Sequence, residues 1–130
     1  MNEIKKLAPI YLEKFDIYVN PYLSVDQIQQ IVNAIIKFDM WSEREQNKMI
    51  LTLYHATNMS KEDIEKYDYE IFEQSGLISE VVKNICNFDK IEEALNYHQS
   101  TARGVYQILN KVAPLMDELN NKFQMKKKKS

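Results

Sequence analysis

Turn-forming residues are scarce in this chain of 130 residues, which contains two Gly and three Pro. A β-sandwich or β-barrel needs many tight turns, so this scarcity argues against both classes. Gly76 and Gly104 stand far apart, which excludes a glycine-rich phosphate-binding loop. One Cys and two His exclude a disulfide framework and a zinc cluster built within one chain.

Long apolar runs are also missing. None approaches the roughly 20 residues that a membrane span requires. The first residues, Met-Asn-Glu-Ile-Lys-Lys, lack the apolar stretch of a secretory signal. We therefore expect no membrane association. We also expect a reducing compartment, in which the lone Cys86 is a small buried core residue.

The charge of the chain is unevenly distributed, although its net value is only -2. Residues 60–80 hold seven acidic and two basic residues, a net charge of -5. Residues 103–130 hold seven basic and two acidic residues, a net charge of +5, and end in Lys126–Lys129. The sequence thus predicts an acidic folded body with a basic C-terminal tail.

Apolar residues recur at helical spacing through the centre of the chain. Ser24 and Gln27 form a capping box, which predicts a helix that begins after Ser24. Its apolar stripe consists of Val25, Ile28, Ile31, Val32, Ile35 and Ile36. Residues 1–23 lack this regularity because Pro9 interrupts it, which leaves room for a short helix around 8–16 followed by an extended segment.

Further helix boundaries follow from local signals. Ser42 and Ser60 each stand three residues before a carboxylate, as in a capping box, and Gly76 predicts a helix end. A long stripe predicts a helix over 90–123, kinked at Pro114. The helix after Ser42 would pack through Met49, Ile50, Leu53 and Tyr54 and would expose its Arg, Lys and Glu residues.

These patterns together predict an all-α fold. We expect an irregular bundle of five to seven helices in a single domain over 24–123, with an extended N-terminal arm over 1–23. The basic tail over 124–130 is expected to be frayed.

Catalytic chemistry finds little support in these residues. The carboxylates stand mostly at helix caps or on exposed faces, and His55 with His98 would make an incomplete metal site. No Ser or Cys has a base at a helical spacing that would activate it. The sequence therefore predicts a non-enzymatic protein with no catalytic, cofactor-binding or metal-ligating residue.

Aromatic residues cluster in the less periodic segments, beside the acidic stretch. Tyr and Trp outside a core are enriched at protein interfaces, whereas the alternative is ordinary packing of loops onto the bundle. The predicted partner-binding residues are Tyr18, Tyr22, Trp41, Glu65, Tyr67, Tyr69, Glu70, Phe72 and Glu73.

The lysines at the C-terminal end suggest a second kind of contact. A weak, non-specific nucleic-acid contact is predicted at Lys126, Lys127, Lys128 and Lys129. The alternative for this run is a solvated tail that improves solubility.

Three strings carry a resemblance to a known group of proteins. They are Tyr-Leu-Ser-Val-Asp-Gln-Ile-Gln-Gln-Ile-Val (22–32), Phe-Asp-Met-Trp-Ser-Glu-Arg-Glu-Gln-Asn (38–47) and Leu-Tyr-His-Ala-Thr-Asn (53–58). The chain resembles small uncharacterised helical proteins of bacteriophages and prophages of low-GC Gram-positive bacteria. The resemblance runs from about Tyr18 to Val112, and it implies a phage origin without implying site residues.

Three functional hypotheses follow. The first is a phage structural or assembly protein, such as a head, connector or tail component or an assembly factor, which contacts phage proteins or itself. It would occupy the host cytoplasm or the virion, and deleting the 1–23 arm would abolish assembly while preserving helix content. The second is an early phage protein that binds and inhibits or redirects a host protein. The third is a non-specific nucleic-acid adaptor acting through the Lys tail.

Overall fold

The computed structural model describes residues 1–99 of a chain that divides into two compact units, Met1–Leu95 and Asn96–Ser130. Helices form most of the first unit. They are α1 (Val25–Ile35), α2 (Trp41–Ala56), α3 (Lys61–Glu65), α4 (Tyr69–Gln74) and α5 (Leu77–Lys83). Residues 89–99 are also helical, and the last four of them belong to the second unit.

The fold is broadly helical but not all-α, because residues 10–19 form a β-hairpin. Strand β1 (Ile10–Leu12) pairs antiparallel with β2 (Ile17–Val19), and one 3-10 turn over Glu13–Phe15 joins them. Asp16 closes this turn at a φ of 51°, in the left-handed region. The prediction of a short helix around 8–16 is therefore wrong. The β-branched and aromatic residues of both strands favour extended backbone over the weak helical spacing.

Residues 17–23, which we call the N-terminal strap, form part of the core. Ile17, Val19, Pro21 and Leu23 are buried, and Val19 and Leu23 have no exposed surface. Tyr18, Asn20 and Tyr22 alternate with them and face outward, as successive residues of an extended chain do. The segment predicted to be an arm over 1–23 is thus anchored in the body from Ile10 onward.

One end of the strap is hydrogen-bonded to the end of α2. The Asn20 N–H donates to the Ala56 carbonyl at 2.6 Å, and Val19 forms a β-bridge with Thr57. Asn58 completes this contact, because its side-chain oxygen accepts from the Tyr18 N–H at 2.9 Å and its own N–H donates to the Tyr18 carbonyl. Since α2 ends beside the strap, the two elements fix each other's position.

The other end of the strap is held by the loop after α5. The Asn87 side-chain oxygen accepts from the Leu23 N–H at 2.9 Å, and its amide donates to the Leu23 carbonyl at 2.8 Å. The Cys86 N–H donates to the Pro21 carbonyl at 2.8 Å. The Cys86 side chain itself is exposed, so the expectation of a buried core cysteine is wrong. This position serves the fold through its backbone.

The local helix signals are mostly confirmed. Both hydrogen bonds of the capping box are present at Ser24 and at Ser60. Gly76 follows the end of α4 with a φ of 83°. The box predicted at Ser42 is wrong, because the N-cap of α2 is Met40, two residues earlier, and its side chain makes no capping hydrogen bond. A methionine side chain cannot accept the capping hydrogen bonds by which a helix start is recognised in a sequence, so the start of α2 has no local sequence signal.

The remaining predictions on the C-terminal part lie outside the described residues. These are the helix over 90–123 beyond residue 99, its kink at Pro114, the domain end at 123 and the basic tail over 124–130.

The position of the strap leads to a prediction that reverses the expectation for the 1–23 deletion. Removing residues 1–9, all exposed, should leave the helical circular dichroism signal and the midpoint of thermal unfolding unchanged. Removing residues 1–23 should abolish most of the helical signal. The buried side chains of Ile17, Val19 and Leu23 contribute about 1.5–3 kcal/mol each, and their sum is a large part of the stability of a small domain. A folded 24–130 chain would contradict this account.

Candidate protein-interaction surface

Three tyrosines line the outer side of the strap and the hairpin. Tyr11, Tyr18 and Tyr22 are 47%, 50% and 49% exposed, and we call them the tyrosine face. Tyr11 and Tyr18 stand opposite each other in the hairpin register, with ring centroids 5.0 Å apart. Tyr11 and Tyr18 are thus neighbours on one surface, and Tyr22, four residues further along the strap, is exposed as well. Tyr11 was not among the predicted partner-binding residues. The hairpin register that places it there is not visible in the sequence.

The tyrosine face is held rigidly from below. The Tyr11 hydroxyl donates to Asp16 Oδ1 at 2.7 Å, and this hydrogen bond, with burial and the Asp16 charge, raises the pKa of Tyr11. The backbone of Tyr18 is bonded to Asn58, and the Tyr22 N–H donates to the Asn20 side chain at 3.2 Å. Exposed aromatic rings on a fixed backbone lose little conformational freedom when a partner covers them.

A cleft of about 430 Å³ adjoins the tyrosine face at Tyr11. It lies between the hairpin turn and the start of α5, where Lys14 Nζ donates to the Ser75 carbonyl at 3.2 Å. Phe15 and Leu12, both half-buried, contribute apolar surface to the cleft. The cleft gives a partner a recess for a side chain next to the exposed rings.

Trp41 is exposed but belongs to a different part of the surface. It is the first residue of α2, whereas Thr57, which bridges to the strap, follows the last. An α-helix of 16 residues is about 24 Å long, so Trp41 stands about that far from Tyr18. Trp41 and the exposed Met40 beside it thus form a separate apolar site at the α1–α2 turn.

The predicted residues of the acidic segment fall into two groups. Glu65, Tyr67, Glu70 and Glu73 are exposed on α3, α4 and the turn between them. Phe72, by contrast, is 4% exposed in the core, where the ring of Tyr67 meets it edge-on at 5.8 Å. The prediction of Phe72 as a surface contact is therefore wrong, because α4 turns its aromatic residue inward to cover the bundle.

Tyr69 is half-buried and faces a group of charged residues. Burial raises the pKa of its hydroxyl, and the carboxylates of Glu73 and Glu45 raise it further, while Lys48 opposes them. Tyr69 packs against the core, so most of its ring is unavailable to a partner.

The sequence analysis missed Lys48, which is buried with only 4% of its surface exposed. Its Nζ lies 2.9 Å from Glu45 Oε1 and 2.6 Å from Glu92 Oε1, and 5.5 Å from the centre of the Phe88 ring. Burial acts most strongly and lowers the pKa of Lys48, but the hydrogen bonds to Glu92 and Glu45 outweigh it and the pKa is raised. The ammonium group thus stays charged and joins α2 to the helix at 89–99.

The inward face of α2 agrees with the predicted one at Leu53, which is buried, and at Met49 and Ile50, which pack against the core, but not at Tyr54. Lys48, Thr52, Leu53 and Ala56 are buried, whereas Tyr54, predicted to pack inward, is exposed. Residues 45, 48, 52 and 56 follow helical spacing, so they form a stripe beside Met49 and Leu53. This stripe is hard to recognise in the sequence because it contains the charged residues Glu45 and Lys48, and a lysine is rarely buried unless it is paired.

Titratable groups elsewhere in residues 1–99 do not converge as a metal site requires. No three His, Cys, Asp or Glu side chains of this part are grouped to hold an ion. His55 is half-buried at the end of α2, where burial lowers its pKa, and His98 is exposed. Within the same residues no helix has the length and apolar character to cross a bilayer. The nucleic-acid prediction at Lys126–Lys129 lies outside the described residues.

Comparison of the chain with models of protein families, with curated proteins and with solved structures finds no match.

The Lys48 ion pairs lead to a matched pair of substitutions. Glu92→Gln should lower the free energy of unfolding by about 1–2 kcal/mol, because it weakens the pairing of a buried ammonium group. Glu93→Gln, the control, breaks an exposed pair with Lys90 at 3.0 Å and should lower the free energy of unfolding far less, because solvent already screens that pair. Urea unfolding of both variants measures the difference. Equal costs would show that Lys48 does not depend on Glu92.

Proposed function

We propose that this protein is non-enzymatic and acts through protein–protein contacts as a structural or assembly protein of a bacteriophage. The observation that carries the proposal is the tyrosine face, three exposed rings on a backbone fixed by the core. The resemblance of residues 22–32, 38–47 and 53–58 to small phage proteins supports the phage origin. The protein would act in the host cytoplasm or in the virion, as a head, connector or tail component or as an assembly factor.

The exposed rings of the tyrosine face leave surface in water that a protein partner could bury. A tyrosine can bury 150–250 Å² of surface, roughly, when a partner covers it, and tyrosine is among the residues that dominate binding energy. Tyr18 and Tyr22 are prevented from turning inward because their neighbours Val19, Pro21 and Leu23 already fill the core. Their rings are therefore positioned to contact another protein.

A host protein is the second candidate partner. The exposed carboxylates Glu65, Glu70 and Glu73 favour a basic partner, and an early phage protein that inhibits or redirects a host protein would use such a surface. The nucleic-acid adaptor hypothesis depends on Lys126–Lys129, which no described contact of the chain involves.

Two substitutions of equally exposed tyrosines test the proposal. Tyr22→Arg should lower the particle yield of a phage that lacks the gene and is complemented with the variant by about tenfold or more, as loss of a binding hot spot does. Tyr54→Arg, on the exposed side of α2, should complement like the natural protein. Both variants should unfold at the natural midpoint. Full complementation by Tyr22→Arg would refute a role of the tyrosine face in assembly.

A further inference from the structure

The two compact units of the chain carry opposite net charges. Residues 1–95 hold 17 acidic and 10 basic residues, a net charge of -7, and residues 96–130 have a net charge of +5. Such a chain attracts its own copies in one orientation, with the acidic part of one beside the basic part of the next.

The acidic charge of the first unit is concentrated on the outer side of α3 and α4, which we call the α3–α4 face. The exposed carboxylates of residues 61–74 are Glu62, Asp63, Glu65, Asp68, Glu70 and Glu73, and two exposed cations, Lys61 and Lys66, lie among them. Within residues 1–99 the ion pair of Lys61 with Glu65, at 3.8 Å and highly exposed, is the one pair that involves these carboxylates. The carboxylates are therefore largely uncompensated by the unit that bears them.

Two apolar side chains lie among these carboxylates. Tyr67 and Ile71 are 47% and 48% exposed, although Phe72 beside them is buried. A protein-binding surface commonly has an apolar centre and a polar rim. Here the rim includes Lys66, whose Nζ lies 5.6 Å from the centre of the Tyr67 ring. The α3–α4 face thus offers both apolar area and charge to a partner.

The chain itself contains a segment of complementary composition. Residues 103–129 include Arg103, Lys111, Lys122 and Lys126–Lys129 against two carboxylates. The same segment has apolar residues between its cations, among them Val105, Ile108, Leu109, Val112 and Phe123. A run of phosphates would pair with these cations alone, whereas a protein surface can contact the apolar residues as well.

We propose that the α3–α4 face of one copy binds residues 103–129 of a second copy, so that the chain associates head to tail. This proposal rests on the proposed function and deepens it by naming a partner. Each copy then has one donor and one acceptor surface, and such heterologous contacts produce rings or open chains of subunits. That mode of growth suits a protein that builds or templates an assembly.

A charge-swap experiment on the full chain tests the contact. In the first variant Glu65, Glu70 and Glu73 are changed to Lys, and in the second Lys126, Lys127, Lys128 and Lys129 are changed to Glu. Sedimentation velocity at about 50 mM NaCl should show concentration-dependent association of the natural chain, lost at about 500 mM NaCl. Each variant alone should associate at least about tenfold more weakly, because its two surfaces then repel each other.

Mixing the two variants provides the decisive step. An equimolar mixture should associate again, because the reversed face of the first variant attracts the reversed tail of the second. Association of the natural chain that the mixture does not restore would overturn the proposal, as would a monomeric natural chain at low salt. The latter includes the case in which the basic segment pairs within its own chain or is reserved for nucleic acid.

Matched controls test whether association depends on the α3–α4 face itself rather than on net charge or on exposed apolar side chains in general. Reversing Glu3, Asp39 and Glu43 to Lys changes the charge equally at exposed positions outside the face and should preserve association. Ile71→Ser should weaken association several-fold, whereas Val25→Ser, at another exposed apolar position, should not. If copies of the natural chain fail to associate while Tyr22→Arg still lowers particle yield, the head-to-tail contact is refuted and the proposed function stands.

Discussion

The strap depends on a simple requirement of its backbone. An extended segment placed among helices brings N–H and C=O groups that no helix satisfies internally, and buried groups of this kind need partners. The carbonyl of Ala56 and the side chains of Asn58 and Asn87 supply those partners on two sides. The strap thereby joins the end of α2 to the loop after α5.

The same alternation that anchors the strap also creates the candidate site. Because successive residues of an extended chain point to opposite sides, burying Val19, Pro21 and Leu23 leaves Tyr18 and Tyr22 outside. The tyrosine face is consequently as fixed as the core beneath it. A partner would therefore meet rings whose backbone is already fixed. Lys48 makes a separate connection, between α2 and the helix at 89–99.

Sequence reasoning succeeded where the determinants are local. The capping boxes at Ser24 and Ser60 and the turn at Gly76 depend on residues within one turn of each other, and the structure confirms them. It failed where partners are distant. Asn87 is 64 residues from Leu23, and Glu92 is 44 from Lys48, so neither contact has a local signal.

The same division between local and distant determinants applies to the candidate site. The exposure of Tyr18 and Tyr22 agrees with their place in an aperiodic segment, whereas the pairing of Tyr11 with Tyr18 and the burial of Phe72 depend on the three-dimensional fold. An aromatic residue in an aperiodic segment covers the core as readily as it meets a partner. Its sequence neighbours alone do not separate the two roles.

The most direct test of the account is hydrogen exchange of the strap amides in the intact protein, resolved by nuclear magnetic resonance. We expect the N–H groups of Tyr18, Asn20 and Leu23 to exchange as slowly as those of the buried turns of α1, because opening them requires global unfolding. The amides of residues 2–8 should exchange rapidly and serve as the internal reference. Strap amides that exchange as fast as this reference would show a detached arm and would contradict the central role of the strap.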